Sequence, residues 1–141
     1  MPALSDIVLI IGRSAKSVSS SEAHALVRTS PLWEGRTERV AARLGALESA
    51  FSEGDLIEVS RIAWAETWEM HSLFHTSAEP FTYWEPGSVR ALQWLRPWIA
   101  HGGANHDEVP PIVTMDAGAN VHVLVRGYAA SSNFALIGAK R

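Results

Sequence analysis

An α+β fold, in which helices pack on one face of an antiparallel sheet, is predicted by this sequence of 141 residues. A short apolar run lies near the N-terminus, helix-periodic segments fill the middle, and two short apolar segments flank a turn near the C-terminus. Because strands then lie at both ends of the chain, the first strand must pair with the last ones. A 47% hydrophobic composition is ample for one core, so we expect a single domain over residues 1–141.

The first strand is predicted over Asp6 to Ile11, an apolar run that ends at Gly12 and is typical of a strand that is buried on both faces or stands at the start of a domain. A short helix should follow at Ser19. Ser19 and Glu22 have the spacing of a capping box, in which the serine oxygen accepts from the third helical amide and the glutamate reaches back to the cap.

A second helix is predicted with Ser30 as its cap and Pro31 as its first residue, ending near Gly54. One apolar stripe should face the core, and most of the charged residues should lie outside it. The stripe comprises Val40, Leu44, Leu47 and Phe51, and the charged residues are Arg36, Glu38, Arg39, Arg43 and Glu48.

Two further helices are predicted, one capped by Asp55 and one that starts near Pro86. Glu66 falls on the apolar stripe of the third helix, so we expect it to be buried and paired. Pro97 should kink or shorten the end of the fourth helix. The two stripes are Leu56, Val59, Ala63, Met70 and Phe74, and then Val89, Leu92, Leu95 and Ile99.

Two strands are predicted near the C-terminus, over Ile112 to Met115 and Asn120 to Arg126. The intervening "DAGA" favours a hairpin turn, so these strands should be antiparallel. "HGGANHDEVPP" before them is predicted to be a loop, and Phe134 to Ile137 a possible last strand. Pairing of the first strand with this sheet would bring the Ser19 helix start close to the Asp116 turn.

Composition excludes several classes of protein. Twelve Lys and Arg against fifteen Asp and Glu give a net charge of −3 without any basic block, so nucleic acid is not an expected partner. Cysteine is absent, which excludes disulfides and thiolate metal sites. The apolar run "IVLII" is too short to span a membrane and follows Pro2 and Asp6 instead of a basic leader, so we expect a cytoplasmic protein with no membrane partner.

Histidine and tryptophan pairs occur at helical spacing. His71 and His75 are four residues apart, but no third ligand is suggested nearby, so a metal site is not predicted. Two tryptophan pairs, Trp64 with Trp68 and Trp94 with Trp98, are expected in the core or at an interface.

Four segments carry a family resemblance. "VRTSPLWEGRTERV", the helix ending in "EMH", "YWEPGSVRAL" and "VTMDAGANVHVLV" follow the order and spacing of the C-terminal half of diphosphomevalonate decarboxylases, members of the galactokinase, homoserine kinase and mevalonate kinase superfamily. The resemblance covers roughly residues 6 to 126. It is most specific at Thr29 to Pro31 and at Asp116 to Asn120.

The resemblance implies an ATP-dependent enzyme that phosphorylates the tertiary hydroxyl of diphosphomevalonate, after which loss of phosphate and carbon dioxide gives isopentenyl diphosphate. Asp116 matches the family's catalytic aspartate, and Ser19 and Ser20 match its substrate-facing serines. A carboxylate in a partly dry turn can accept the hydroxyl proton. Ala119 replaces the proline of the family motif.

The family's N-terminal half, with its phosphate loop, has no counterpart in this sequence. ATP and magnesium are therefore expected to bind mainly to that missing half, and no cofactor is expected for this chain alone. Three hypotheses remain: the C-terminal part of the decarboxylase, inactive alone; a decarboxylase or kinase for another mevalonate phosphate, suggested by Glu22 near the phosphate site; and a non-catalytic binding or assembly module that kept the fold. The partner would be a separate N-terminal half or a second copy of the chain.

Overall fold

The computed structural model describes residues 3–13, 16–100 and 109–127. Three strands, four α-helices and two 3₁₀ turns follow one another along these ranges. The strands are β1 (Leu4–Leu9), β2 (Ile112–Thr114) and β3 (Val121–Arg126); the α-helices are α1 (Ser20–Leu26), α2 (Arg36–Glu53), α3 (Leu56–His75) and α4 (Pro86–Ala100); the 3₁₀ turns are Val27–Thr29 and Pro31–Trp33.

The sheet has the order β1-β3-β2, and both pairings are antiparallel. β3 is therefore central, with Val123 opposite both Ile7 of β1 and Val113 of β2. The predictions that the first strand pairs with the last ones, and that the "DAGA" segment joins an antiparallel pair, are both confirmed. With helices packed on this sheet, the α+β fold class is confirmed as well.

β1 differs from its predicted range of Asp6 to Ile11. It begins and ends two residues earlier, at Leu4 and Leu9. The strand does not extend to Ile11, because the amides of Ile11 and Gly12 donate to the side chain of Asn120 and not to a neighbouring strand. Exposed residues such as Val8 also alternate along β1 with half-buried ones, so the strand is not buried on both faces.

Three buried clusters form the core, and two of them hold helices to the sheet. The first joins Val113, Val121 and Val123 to Leu92 and Leu95 of α4. The second joins the N-terminal half of α3 and the end of α2 to β2, and the third places α1 against the C-terminal end of α3. The second cluster comprises Ala50, Leu56, Val59 and Ile112; the third comprises Ala23, Val27, Leu73, Phe74 and Tyr83.

α2 begins later than predicted. Ser30 does accept a hydrogen bond, from the Leu32 amide at 3.1 Å, and Pro31 follows it, but these residues form only a 3₁₀ turn. Gly35 then adopts a left-handed conformation, with φ of 68°, which interrupts the helical path. The continuous helix predicted from Ser30 is therefore wrong, and α2 starts at Arg36.

The face that α2 turns toward α3 carries arginines, so the predicted orientation of its first half is wrong. Arg36 is buried and Arg43 half-buried, whereas Val40 and Leu44 are 37% and 54% exposed. Arg36 and Arg43 both pair with Glu66 and Glu69 of α3. These ion pairs satisfy charges that burial would otherwise penalise, which is why arginine can occupy the inner face. The prediction that Glu66 is paired is confirmed.

The remaining helices largely match their predictions. Asp55 caps α3 by accepting from the Glu58 amide at 2.9 Å. α4 is not shortened by Pro97 but continues to Ala100; the lost hydrogen bond leaves a carbonyl on the exposed Gln93, where water can satisfy it. Residues 101–108 of the loop predicted over residues 101–111, and the possible strand from Phe134, lie outside the described residues. None of the described helices has the length and apolarity needed to cross a membrane.

Candidate functional site

Asp116 lies directly after β2, where the backbone leaves the core. Met115 before it is only 3% exposed, while the side chain of Asp116 is exposed to solvent. The Gly118 amide donates to the main-chain carbonyl of Asp116 at 2.7 Å and closes a tight turn. A reactive carboxylate at this position would therefore be reachable by a ligand, although its backbone is fixed by the core.

Two polar side chains hold the far end of this turn. The Ser88 hydroxyl, which is fully buried, donates to the Ala119 carbonyl at 2.7 Å and accepts from the Glu85 amide at 3.1 Å. The Asn120 carboxamide oxygen accepts from the amides of Ile11 and Gly12 at 2.8 and 3.1 Å. The turn is thereby attached to the start of α4 and to the end of β1.

The segment after β1 and the start of α4 approach each other closely at two glycines. A Cβ atom on Gly12 would lie 2.4 Å from Oε1 of Glu85, and one on Gly87 would lie 2.7 Å from Cγ2 of Ile11. The Gly87 position is the more restrictive, because the atom it would meet belongs to a branched, half-buried side chain.

Ser19 and Ser20, the predicted substrate-binding residues, lie at the start of α1. Ser19 caps this helix, with its hydroxyl oxygen 3.2 Å from the Glu22 amide, and the side chains of both serines are exposed. Val18 precedes Ser19 and Ala117 follows Asp116, and these two residues pack against the same buried cluster at the end of α3. The start of α1 and the Asp116 turn are thus neighbours.

Lys16 is a residue of this region that sequence reasoning missed. Its Nζ atom lies 5.6 Å from the centroid of the Tyr83 ring, within the range of a cation–π contact. Its Cε atom would be 3.9 Å from a Cβ added to Gly118, so the lysine also borders the Asp116 turn. A single lysine in a polar segment has no pattern that would have identified it. It brings a positive charge to the edge of this turn.

His71 lies behind the site and not in it. Its ring is fully buried, with centroids 5.3 Å from Phe74 and 5.0 Å from Trp84. Burial lowers the pKa of His71 to about 4, assisted by the nearby His75, whereas the main-chain carbonyl of Asp116 favours the protonated form. Neither ring nitrogen makes a well-formed hydrogen bond within the described residues. His71 therefore stays neutral at physiological pH.

His75 does not join His71 in a set of ligands. Its Nε2 atom lies 3.1 Å from Oγ1 of Thr82, and its ring packs edge-on against Trp84. In the ranges that the structure describes, no group of three His, Cys, Asp or Glu residues could hold a metal ion. These histidines belong to the packing beneath the turn.

The arginine network between α2 and α3 orders the segment before α2. Arg39 donates to the main-chain carbonyls of Leu32 and Glu34 at 2.6 and 2.8 Å, and to Glu69 at 2.8 Å. Burial alone would raise the pKa of Glu66, but hydrogen bonds from Arg36 and Arg43 lower it below its usual value. Both glutamates of this network are therefore ionised near neutral pH, as is required for them to hold three guanidinium groups.

Comparison with known proteins gives a consistent result. Residues 6–139 match the family described as the mevalonate 5-diphosphate decarboxylase C-terminal domain. A mevalonate diphosphate decarboxylase from Legionella pneumophila is 38% identical over 87% of this chain and 38% of its own, with a TM-score of 0.75. No curated protein matches the chain.

Two further solved structures share the fold. One is described as MDDEF in complex with MVAPP, AMPPCP and magnesium; it is 32% identical over 87% of this chain and 36% of its own, with a TM-score of 0.75. The other, a mevalonate pyrophosphate decarboxylase from Streptococcus pyogenes, is 26% identical over 89% of this chain and 38% of its own, with a TM-score of 0.76. The chain spans 31% to 38% of the length of the solved relatives that it matches.

Proposed function

Because the chain belongs to the mevalonate 5-diphosphate decarboxylase C-terminal domain family, we propose that it supplies the Asp116 wall of an ATP-dependent decarboxylase. The substrate is diphosphomevalonate and the product isopentenyl diphosphate. Since the chain spans about a third of its solved relatives, the remaining part of the enzyme must supply the rest of the site, and this chain is inactive alone.

One observation carries the proposal: Asp116 is an exposed carboxylate on a turn that is fixed from behind. Ser88 and Asn120 hold the backbone on one side of the carboxylate, and buried Met115 holds it on the other. A structural turn aspartate commonly bonds to nearby amides. Among the described residues no side-chain hydrogen bond of Asp116 is found, which supports a carboxylate kept free for a substrate.

Asp116 acts as the general base in this proposal. Its carboxylate accepts the proton of the tertiary hydroxyl, and that oxygen then has an electron pair available for phosphoryl transfer. Loss of the new phosphate and of carbon dioxide forms the double bond of the product. Lys16 provides positive charge near these anionic groups, and Ser19 and Ser20 offer hydroxyls to the substrate phosphates.

ATP and magnesium are assigned to the remaining part of the enzyme. ATP supplies the phosphoryl group, and a relative has been solved with the ATP analogue AMPPCP and magnesium. The described residues of this chain offer no set of three metal ligands. Consecutive main-chain amides in a glycine-rich loop would be needed to hold the phosphates, and the turn at Gly118 is too short for that.

The test is release of carbon dioxide from radiolabelled diphosphomevalonate with ATP and magnesium. This chain alone should release none, whereas the chain complemented by the remaining part of the enzyme should be active. Activity of the complemented sample that is independent of ATP would contradict the proposal.

A second function keeps the reaction and changes the substrate to a mevalonate monophosphate. Glu22 lies in the first turn of α1, next to the Ser19 cap, where its charge disfavours a highly anionic ligand. The same assay with the monophosphate decides between the two: the substrate with the higher kcat/KM is the physiological one. Replacement of Glu22 by Gln should raise the preference for the diphosphate.

A third function, a binding module without catalysis, is favoured by exposed apolar surface. Trp33, Val40 and Leu44 are exposed on or beside the outer face of α2. A groove of about 340 Å³ between α3 and α4 is lined by aromatic residues including Trp64, Trp68 and Trp84. Such surface suits a second copy of the chain or a separate N-terminal half, in the cytoplasm. Inactivity of every complemented sample would favour this function.

A further inference from the structure

We propose that Asn120 is a positioning residue, which fixes the Asp116 turn against the segment that follows β1. The proposal rests on the function proposed above for Asp116. It concerns the support of the turn, since Asn120 itself is not placed against the substrate.

Asn120 lies where the main-chain hydrogen bonding between β1 and β3 ends. Its side chain replaces the main-chain acceptor that a longer strand would have provided. The last paired residues are Leu9 and Val121, so the next amides of the first strand have no main-chain acceptor. The carboxamide oxygen of Asn120 accepts from both Ile11, at 2.8 Å, and Gly12, at 3.1 Å. Half-buried amides need such an acceptor, and a single side chain here satisfies two of them.

The segment of chain that follows Ile11 and Gly12 ends at α1, which begins at Ser20. Its far end is also held, because the Tyr83 hydroxyl donates to the Val18 carbonyl at 2.9 Å and Tyr83 is only 7% exposed. Val18 immediately precedes the Ser19 cap. The start of α1 is therefore attached to the body of the domain by Tyr83, whereas Asn120 attaches the Asp116 turn to the segment that follows β1.

The attachment on the Asp116 side is short and stiff. Asn120 follows Asp116 by four residues, and the Ala119 carbonyl between them is held by buried Ser88. The Cβ atom of Ala119 lies 3.4 Å from a Cβ built on Gly12, so the turn and the end of β1 are nearly in contact. Loss of the Asn120 bonds would let these two segments separate, and the Asp116 turn would lose one of the contacts that fix its backbone.

Hydrogen exchange of the chain tests the attachment. Asn120→Ala should raise the exchange rates of the Ile11 and Gly12 amides by about tenfold or more. Asn120→Asp should keep them protected, because aspartate retains the acceptor oxygen. The matched control is Ser60→Ala, which removes a buried bond of 2.6 Å to the Pro111 carbonyl at the opposite end of β2. It should leave both exchange rates unchanged.

A double-mutant cycle in the complemented enzyme tests the positioning role. Asn120→Ala alone should lower kcat by about tenfold, but by less than about twofold in an Asp116→Asn background, since Asn120 acts through the position of Asp116. Asn120→Asp should recover part of the turnover; its added charge near Glu85 and Asp116 limits the recovery. Ser60→Ala should leave kcat per folded molecule close to that of the wild type.

Two results would overturn the proposal. Unchanged exchange in Asn120→Ala, or an equal loss of kcat in both backgrounds, would show that Asn120 does not set the site. If Asn120→Ala fails to fold, Asn120→Asp provides the test. Protected Ile11 and Gly12 amides together with recovered turnover would support the positioning role of Asn120. Loss of amide protection together with loss of turnover would contradict it. If Asp116→Asn turns over like the wild type, the function proposed for Asp116 fails instead, and the exchange experiment still reports on the attachment.

Discussion

Asp116 combines an exposed carboxylate with a backbone that other residues hold in place. The buried hydroxyl of Ser88 and the carboxamide of Asn120 bond to the turn and to its neighbours, whereas the Asp116 side chain supports neither of them. The stability of the fold and the chemistry of the site are thus assigned to different residues. A substitution can therefore change the chemistry of the site without changing the stability of the fold, or the reverse.

Asp116→Asn should leave the free energy of unfolding within about 1 kcal/mol of the wild type, since it creates no cavity and leaves no buried charge unpaired. Urea denaturation of the chain measures this. Ser88→Ala is the matched comparison, because it removes a fully buried hydroxyl that bonds to the same turn. That change should cost more, about 1 to 3 kcal/mol, through the unsatisfied Ala119 carbonyl. The reverse order would make Asp116 the structural residue.

His71 should make the fold sensitive to mild acid. Burial lowers the pKa of His71 to about 4, so between that value and about pH 6.5 the unfolded chain binds more protons than the folded chain. Stability should therefore fall as pH decreases through this window, by about 1 kcal/mol per pH unit. Unfolding of wild type and His71→Gln at pH 7 and pH 5 measures it. The variant should lose less stability on acidification, and equal losses would contradict the assignment.

At the scale of elements, α2 and α3 meet through charges for half their length and through apolar residues for the rest. Arg36 and Arg43 pair with Glu66 and Glu69, and the apolar contact begins near Leu47 and Ala50. Such a junction fixes the register of two helices more specifically than a uniform apolar seam would. It also leaves Val40 and Leu44 on the outer face of α2.

Arg36→Met should lower the free energy of unfolding by about 2 kcal/mol. That value lies between the small effect of exposed ion pairs and the large effect of breaking a buried one, because Glu66 is partly exposed. Urea denaturation at pH 7 gives the value, and Arg61→Met, which breaks the exposed pair with Glu58, is the control. The difference in unfolding free energy between the two variants should shrink in acid, as pH falls through the lowered pKa values of Glu66 and Glu69 and the glutamates become protonated. A persistent difference in acid would mean that packing, and not charge, is lost.

Helix caps and the pairing of the first strand with the last ones were predictable from the sequence, whereas the inner face of α2 and the contacts around the turn were not. Ser19 and Asp55 identify the starts of α1 and α3, because capping is a contact of three residues within one segment. The inner face of α2 could not be read from periodicity, since arginine is buried there only because Glu66 and Glu69 lie opposite on another helix. In the site, the resemblance identified Asp116, but the roles of Ser88 and Lys16 depend on contacts between remote segments.

At the scale of the whole molecule, the chain has the fold of one part of a larger enzyme. Residues 6–139 match the C-terminal domain family, and the solved relatives are nearly three times as long as the matched region. Apolar residues of α2 are exposed, and an aromatic groove lies between α3 and α4. In the proposed function, the remaining part of the enzyme completes the site around Asp116.

ATP should not bind to this chain alone, because its described turns provide no run of amides that could hold a triphosphate. Isothermal titration calorimetry with Mg-ATP should give no heat of specific binding, and the complemented enzyme should bind it. A micromolar dissociation constant for the isolated chain would place the nucleotide site here and contradict the division of roles.

The most direct test that Asp116 is the general base is the turnover of the complemented enzyme with Asp116→Asn, expressed per folded molecule. The account predicts a decrease in kcat of ~10²-fold or more, as is typical for loss of a general base, with ATP affinity nearly unchanged. Asparagine keeps the shape of the side chain, so the loss would come from the missing base. Undiminished turnover per folded molecule, together with severe loss of stability, would show instead that Asp116 serves the turn and not the reaction.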